Sequence, residues 1–206
     1  MAVVRNITST EQRKILNDGL DGVSVGANVY RTGNDGIDNL SGYEADIYSA
    51  SLLNGWKLNK NWNMGLGLSA SYVDSQYDDV NSDKENKIIM AFMPILYKNN
   101  NFKYLGTITA GAGMGSYNRN AMSGNYEADT FDIYYGMNNS IEYSIDMKVA
   151  ELVAEAELNL QGIHSDDAKE KGGLVLKAND SVSLEAGVGL KVRKNIRLAK
   201  ERSLML

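Results

Sequence analysis

The stretch "WNMGLGLSASY", residues 62–72, decides the fold class of this chain. Every second residue is apolar or aromatic, from Trp62 through Leu66 to Tyr72, and the residues between them are asparagine, glycine and serine. Successive side chains of a β-strand point to opposite faces of the sheet, so the stretch predicts a strand with one apolar face and one small, polar face. The fold then depends on which face is buried, and in what.

The same alternation returns along the chain from residue 20 onward, with clusters of Gly, Asn, Asp and Ser marking the breaks. Many of these segments are longer than the five or six residues usual in soluble sheets, and a tilted strand that crosses a bilayer needs about nine to eleven. The pattern predicts eight strands, at residues 20–31, 43–58, 62–74, 86–98, 102–118, 126–146, 148–163 and 174–194.

Composition excludes several classes of protein. The chain has 206 residues, a single proline and no linker-like tract, which favours one continuous architecture. A net charge of −5 with both signs interspersed gives no basic surface for nucleic acid. Without cysteine there is neither a disulfide framework nor a thiolate metal site. No apolar run is long enough for a membrane helix.

The N-terminal segment, residues 1–19, differs from the rest. Ser9 and Gln12 have the spacing of a capping box, and Gly19 is a suitable stop, so the segment predicts a short helix. We expect residues 1–19 to be a linker or a helix inside a pore, and residues 20–206 to be the β domain.

The connections between the predicted strands alternate in length. Long ones at residues 31–42, 75–86, 118–129 and 164–173 are separated by short ones such as "NKN" and "DMK". If the strands run up and down in sequence order, all long loops leave at one end, as in an outer-membrane barrel.

Two features favour a bilayer over a protein core as the medium around the apolar faces. Trp62 and Tyr72 lie ten residues apart on one face, which is about 25 Å along the membrane normal for a tilted strand. This spacing matches the two aromatic girdles at the edges of a membrane barrel's apolar band. Tyr104 and Tyr143 are candidates for the same girdles. The opposite faces hold many glycines, which leaves room for a pore, whereas a soluble core needs larger interlocking side chains.

The sequence resembles the β-domain of an autotransporter, the type V secretion translocator of Gram-negative-type outer membranes. The resemblance covers about residues 20–196. It rests on G-x-G-x-S strand patterns such as "GLGLSASY", on the hairpin "NLSGYEADIYSASLLNGWKLNKNWNMGLG", and on "EAELNLQGIHSDDAKEKGG" followed by "SVSLEAGVGLKVRK".

This resemblance implies an antiparallel transmembrane barrel of twelve strands with a segment threading its pore. It also implies the partners: the outer-membrane barrel-assembly machinery, membrane lipid or lipopolysaccharide, and an upstream passenger polypeptide that the barrel anchors and helps to export. Because eight strands are recognisable, we expect the chain to be incomplete on its C-terminal side, with residues 196–206 opening a ninth strand.

Three motifs resemble binding or catalytic motifs, but each lacks a feature that the chemistry requires. "GAGMG" at 111–115 has its glycines at period two within a strand, unlike a dinucleotide loop. The calcium-like spacing that starts at Asp79 has Lys84 and Met90 where a glycine and a carboxylate are needed. His164, the single histidine, is followed by Ser165, Asp166 and Asp167, a set more typical of a polar loop than of a catalytic or zinc site. We predict no catalytic, cofactor or metal site and no enzymatic activity.

The charged residues of the last two strands are the site residues that we predict. These strands are neighbours in an up-and-down sheet, so charges on one face can pair across them and keep a pore polar. The predicted pore-facing residues are Glu151, Glu155, Glu157, Glu185, Lys191 and Arg193.

Two alternative functions stay open at this point. One is a soluble β-barrel that binds an apolar ligand or a protein partner, with its apolar faces inside. The other is a small closed outer-membrane barrel with a structural or adhesive role, whose interior is filled by side chains.

Overall fold

A computed structural model describes residues 14–34, 42–77, 82–121, 124–147, 150–172, 174–177, 179–193, 195–198 and 202–205. Within them, a short helix α1 (residues 14–18) precedes twelve strands. No helix in these residues has the length and apolar character needed to cross a membrane. The strands are β1 (Gly22–Asn34), β2 (Tyr43–Lys57), β3 (Trp62–Tyr77), β4 (Ser82–Asn99), β5 (Phe102–Ala121), β6 (Gly124–Met147), β7 (Ala150–Ser165), β8 (Ala168–Lys169), β9 (Val175–Leu176), β10 (Asn179–Arg193), β11 (Asn195–Leu198) and β12 (Arg202–Met205).

Eight of these strands form one antiparallel sheet in sequence order, β1-β2-β3-β4-β5-β6-β7-β10. In this register, apolar residues lie opposite apolar residues on neighbouring strands. Leu68 of β3, for example, lies opposite Leu52 of β2 and Ala91 of β4. Apolar faces therefore run continuously from strand to strand, and the predicted up-and-down, all-β architecture is confirmed.

In β3 the small, polar face is the buried one, and on neighbouring strands the same inner face also carries buried apolar side chains such as Ile47, Ile88 and Met90. Ser69 is 4% exposed, whereas its apolar neighbour Leu68 is 56% exposed. The sheet curls so strongly that residues from β1 to β4, β6 and β7 line a single interior cavity of about 300 Å³. A water-soluble barrel buries its apolar faces, so this arrangement is the reverse of the soluble alternative.

One end of the inner face is covered by α1. Its residues Ile15 and Leu16, and the following Leu20, are buried against apolar side chains of the inner face. The helix ends at Gly19, as predicted, where the backbone takes a left-handed φ of 94° that favours glycine. The apolar residues of the sheet in this cluster are Leu53, Phe92, Leu96 and Leu105.

Glycines of the sheet make room for α1 and Leu20, which together we call the plug. Gly55 and Gly65 lie opposite each other on β2 and β3, and a Cβ at either would approach Leu20 to about 3 Å or less. Asn63 Nδ2 donates a hydrogen bond of 2.7 Å to the Leu20 carbonyl oxygen. The glycines of the inner face thus accommodate the chain's own N-terminal segment.

The predicted alternation of long and short loops is wrong. β3 extends to Tyr77 and β4 begins at Ser82, while β5 and β6 pair as far as Ala121 and Gly124. Antiparallel pairing continues past the expected ends because these flanking residues still find cross-strand partners, such as the Tyr43 and Tyr77 rings, whose centroids are 6.3 Å apart. Much of the predicted loops at 75–86 and 118–129 is therefore strand.

The last predicted strand, residues 174–194, is also corrected, because it is two strands. β9 pairs with β8 from the predicted loop, and Glu170 N donates to Leu174 O to close that hairpin. β11 pairs with β12 in a separate two-stranded sheet, instead of opening a ninth strand of the main sheet. Ser9, Gln12 and Asp79 lie outside the described residues.

Candidate functional site

The inner face of β5, β6, β7 and β10 carries a group of charged side chains that we call the lumenal charge network. Register places these strands side by side, with Glu142 of β6 directly between Lys103 of β5 and Glu155 of β7. Because all members lie on the inward phase of their strands, they share one surface. The members are Lys103, Glu142, Glu151, Glu155, Lys191 and Arg193.

Glu142 is the centre of the network. Its side chain is only 1% exposed, and Arg193 Nη2 donates to both carboxylate oxygens at 3.0 and 3.1 Å. Lys191 Nζ and Lys103 Nζ lie at 3.5 and 3.7 Å from the same carboxylate. A buried carboxylate needs such partners, because desolvation of an unpaired charge costs several kcal/mol.

The predicted pore-facing residues fall into two groups. Glu151 lies 3.8 Å from Arg193, and Glu155 forms an ion pair with Lys191, so both join the network. Glu157 is exposed and lies opposite Gly187, and Glu185 lies opposite Asn159, further along the same face. The structure therefore brings together Glu151, Glu155, Lys191 and Arg193, but leaves Glu157 and Glu185 outside the network.

Sequence reasoning missed Glu142 and Lys103. Neither is among the predicted pore-facing residues, since Glu142 belongs to an earlier strand than the two considered and Lys103 lies next to a turn. A usable signal was present, because Glu142 is the one carboxylate between two serines, Ser140 and Ser144, on the inward phase of an otherwise uncharged stretch. Its partners come from strands on both sides, which spacing along the chain does not reveal.

Lys103 connects the network to the plug. Its ammonium donates a hydrogen bond of 2.9 Å to the Leu16 carbonyl oxygen, near the C-terminal end of α1, while facing Glu142. Carbonyls at the end of a helix lack intrahelical partners and attract cations. One lysine thus serves both the inner face of the sheet and the segment inside it.

A second buried carboxylate, Asp132 of β6, lies towards the other end of the interior. It accepts hydrogen bonds from Ser165 Oγ at 2.6 Å, Asn86 Nδ2 at 2.8 Å and Lys84 Nζ at 3.0 Å. Asn86 reaches across β5 at Gly113, where a Cβ would lie 2.7 Å from its side-chain oxygen. Gly113 of the "GAGMG" motif therefore leaves room for a bridge between β4 and β6, and the motif lies within a strand instead of forming a phosphate loop.

The four predicted girdle residues all lie on the outer face. Trp62 packs against Tyr97 in a tilted arrangement with 4.8 Å between ring centroids, at the end of the sheet with the β2–β3 and β4–β5 turns. Tyr72 lies near the other end and contacts Tyr48, with 6.4 Å between centroids. Tyr143 is half-exposed opposite Phe102. Sequence reasoning missed the partners Tyr48, Tyr97 and Phe102.

Tyr104 has a more specific contact than a girdle residue needs. Its hydroxyl donates a hydrogen bond of 2.8 Å to Asn139 Oδ1, and its ring covers Gly106. Between Phe131 and Met147, Asn139 is the single polar interruption in the apolar phase of β6. The tyrosine therefore satisfies an amide that faces outward in an apolar surface.

His164 lies beyond the last apolar residue on the outer phase of β7. Its Nδ1 contacts Asp180, and its Nε2 lies 3.5 Å from Asp166. The hydrogen bond with Asp180 and its charge raise the pKa of His164. Asp83 and Glu85, which continue the calcium-like spacing that starts at Asp79, lie within β4. The described residues contain no cluster of three or more acidic or histidine side chains able to hold a metal ion.

A family model described as "Autotransporter beta-domain" matches residues 24–206. Among solved structures, the translocator domain of autotransporter NalP from Neisseria meningitidis is similar, with a TM-score of 0.76, 16% identity, and coverage of 95% of this chain and 72% of that chain. The beta domain of the Bordetella autotransporter BrkA has a TM-score of 0.64 and 15% identity, covering 90% of this chain and 76% of that chain. No curated protein matches the sequence.

Proposed function

The chain belongs to the autotransporter β-domain family, whose members are outer-membrane translocators of Gram-negative bacteria, and from this premise we propose that its lumenal charge network keeps the pore polar for a passing passenger polypeptide. The translocator role itself, anchoring and helping to export a passenger, comes with the family. The proposal concerns which residues of this chain serve it.

The observation that carries the proposal is the charge balance around Glu142. Three carboxylates, Glu142, Glu151 and Glu155, face three cations, Lys103, Lys191 and Arg193. A balanced set offers hydrogen bonds to an extended polypeptide without a strong field of one sign, so passenger segments of either charge can pass. The ion pairs of this set also hold the inner surface in a fixed geometry.

We also propose a division of the chain, which the position of α1 supports. We assign residues 1–19 to a pore segment and residues 20–206 to the barrel domain. Support comes from the burial of Ile15 and Leu16 on the inner face and from the hydrogen bond between Lys103 and Leu16. A segment held there lies on the route that an exported chain follows.

Two further partners are part of the proposal: the outer-membrane barrel-assembly machinery and membrane lipid. The exposed apolar outer face, with aromatic side chains near both ends, is the surface that lipid would cover. A sheet of this kind needs help to insert, because its apolar surface faces outward before a membrane surrounds it.

We also propose that the chain is not an enzyme, because its family consists of transport domains. His164 is the side chain best suited to proton transfer at neutral pH. Both its ring nitrogens face carboxylates, those of Asp180 and Asp166. Neither nitrogen is then placed to take a proton from a hydroxyl nucleophile.

The test compares Glu142→Gln with Glu157→Gln in the full chain, each carrying a reporter polypeptide fused before residue 1. Two reporters are used, one rich in acidic and one rich in basic residues. Surface exposure on intact cells is measured by protease accessibility and divided by the amount of assembled barrel, read from its shifted mobility on unheated gels.

Loss of the Glu142 charge leaves the cations in excess, so we expect slower export of the acidic reporter per assembled barrel, and unchanged export in Glu157→Gln. A purely structural role would lower the amount of assembled barrel and leave export per barrel equal for both reporters. That second outcome would overturn the proposed role of the network.

A further inference from the structure

Side chains of the sheet hold the plug through its main-chain oxygens. Asn63 Nδ2 donates to the Leu20 carbonyl at 2.7 Å, and Lys103 Nζ donates to the Leu16 carbonyl at 2.9 Å. In both contacts the sheet supplies the donor, and the plug supplies a group that every amino acid carries. These two hydrogen bonds therefore do not depend on which side chains the plug has.

The end of α1 explains why the Leu16 carbonyl is available. The amide of Gly19, at a φ of 94°, donates to the Ile15 carbonyl at 2.9 Å and so ends the helix. The Leu16 carbonyl is the next one along, and carbonyls of the last turn lack intrahelical donors. Lys103 supplies that donor. A helix of another sequence that ends at a glycine would present the same carbonyl.

The apolar contacts of the plug require an apolar side chain, but not one particular side chain. Leu20 lies over Gly55 and Gly65, where an added Cβ would be 2.9 and 3.0 Å from its side chain. Burial of apolar surface has no preferred direction, so a similar side chain could fill the same recess. Lys14 of α1 also donates to the Val25 carbonyl at 3.2 Å, but this contact is exposed and competes with water.

The two donors of the sheet lie at the same end of the inner face. Asn63 is the second residue of β3, and Lys103 is the second residue of β5. β4 lies between these strands, so their backbones are about 10 Å apart. Glu142, 3.7 Å from Lys103 Nζ, holds the ammonium in place. The sheet thus presents two donors at a fixed spacing.

We propose that Asn63 and Lys103 are positioning residues that hold the plug by its main chain, so that this end of the interior binds polypeptide largely without regard to its sequence. The ligand class is a polypeptide helix that ends at a left-handed residue and is followed by an apolar side chain. The inference rests on the proposed assignment of residues 1–19 to a pore segment. It specifies the groups that attach this segment to the barrel.

The experiment measures how often the plug leaves the sheet. The chain contains no cysteine, so Ile15→Cys, at a position that is 2% exposed, provides the single target for a water-soluble maleimide. The thiol reacts while the plug is detached, so the labelling rate reports the detached fraction. The rate is measured on the full chain in detergent micelles. Asn63→Leu and Lys103→Met remove the donors and keep the size of the side chains.

Each variant has a matched control. Asn61→Leu makes the same replacement in the β2–β3 turn. Lys191→Met removes a second lysine that faces Glu142, at 3.5 Å, and this lysine forms no hydrogen bond with the plug in the described part of the chain. Val153→Cys, at a position of β7 that is 0% exposed, replaces Ile15→Cys in a parallel series and reports any loosening of the sheet itself.

We expect Lys103→Met to raise the labelling rate of Ile15→Cys about tenfold and Asn63→Leu to raise it about fivefold. The difference arises because a hydrogen bond from a charged donor contributes more than one from a neutral donor. Asn61→Leu and Lys191→Met should leave the rate as it is in the unaltered chain.

Exposed side chains of the plug test recognition of the main chain directly. Asn17 and Asp18 are exposed residues of α1. Asn17→Ala and Asp18→Ala keep every carbonyl of the plug, so neither should raise the labelling rate. Faster labelling in either variant would show that the sheet recognises side chains, and would overturn the proposal.

Three other results would also overturn it. Unchanged labelling in both donor variants would show that apolar contacts alone hold the plug. Equal acceleration by Lys103→Met and Lys191→Met would assign the effect to the charge of the network. A parallel rise in the labelling of Val153→Cys would assign the effect to a loosened sheet.

The labelling experiment needs no passenger, so its result is independent of the export measured with Glu142→Gln. It also tests the assignment on which the inference rests. If Ile15→Cys in the otherwise unaltered chain reacts as fast as Asn17→Cys, the plug is not held on the inner face. That result would refute the assignment of the pore segment together with this inference, whereas failure of the donor variants alone would refute only the inference.

Discussion

Leu68 and Leu58 form a matched pair that tests whether lipid covers the outer face. Both are leucines, 56% and 54% exposed, but Leu68 lies in the middle of β3 and Leu58 in the β2–β3 turn. For a soluble protein, arginine at either position would cost about the same, because each side chain already meets solvent. For a membrane barrel the two substitutions differ sharply.

The depth of Leu68 sets the magnitude. It lies six residues from Trp62 and four from Tyr72. At roughly 3.3 Å per residue and a tilt of about 40–45°, those separations are about 14 Å and 10 Å along the membrane normal. Leu68 is thus within about 2–3 Å of the middle of an apolar band of about 25 Å, where arginine costs about 2–4 kcal/mol.

The assay is urea unfolding of the chain folded in phosphatidylcholine vesicles, followed by tryptophan fluorescence. We expect Leu68→Arg to lower the free energy of unfolding by about 3 kcal/mol, and Leu58→Arg to change it by less than about 0.5 kcal/mol, as usual for an exposed turn. If the two variants differ by less than about 0.5 kcal/mol, lipid does not surround the outer face at Leu68, and the orientation argued above is refuted.

Two other predictions concern local features. Gly162→Ala should lower the free energy of unfolding in the same assay by about 1 kcal/mol, because its Cβ would lie 2.1 Å from the Tyr135 ring. Gly187→Ala is the control and should be neutral or slightly stabilising, because nothing lies within 4 Å of its Cβ. Equal effects of the two variants would contradict the packing of Tyr135 over Gly162. The ion pair of His164 with Asp180, which raises the pKa of the histidine, should stabilise the chain fully below pH of about 6.5 and lose that effect as pH rises through the raised pKa. The NMR titration of this single histidine should therefore move to lower pH in Asp180→Asn, and an unmoved titration would count against the pair.

Some of this architecture could be predicted from local pattern alone. The alternation in residues 62–72 requires a strand with two unlike faces, and its repetition yields the eight-stranded antiparallel sheet that the structure contains. The outward position of Trp62, Tyr72, Tyr104 and Tyr143 follows from the same period. These features depend only on neighbours along the chain, because the side-chain direction of a strand is set by residue parity.

Strand ends and loop lengths could be predicted less well from the sequence. The predicted loops at 75–86 and 118–129 are rich in Asn, Asp and Ser, yet the strands continue into both. Pairing with the neighbouring strand, as between Tyr43 and Tyr77, outweighs the turn preference of the individual residues. The partner strand, not the local sequence, decides where such a ladder stops.

The site depended most on tertiary structure. Glu151, Glu155, Lys191 and Arg193 could be placed on one face from parity and neighbouring strands, but their common partner, Glu142, required the register of β6 as well. Lys103 meets Leu16, 87 residues away, only because α1 packs on the concave inner face of the curled sheet. Alternation by itself determined which side chains face inward, because parity is a local property. Curl and register alone decided which of those side chains meet, because they bring together strands that are distant in the chain.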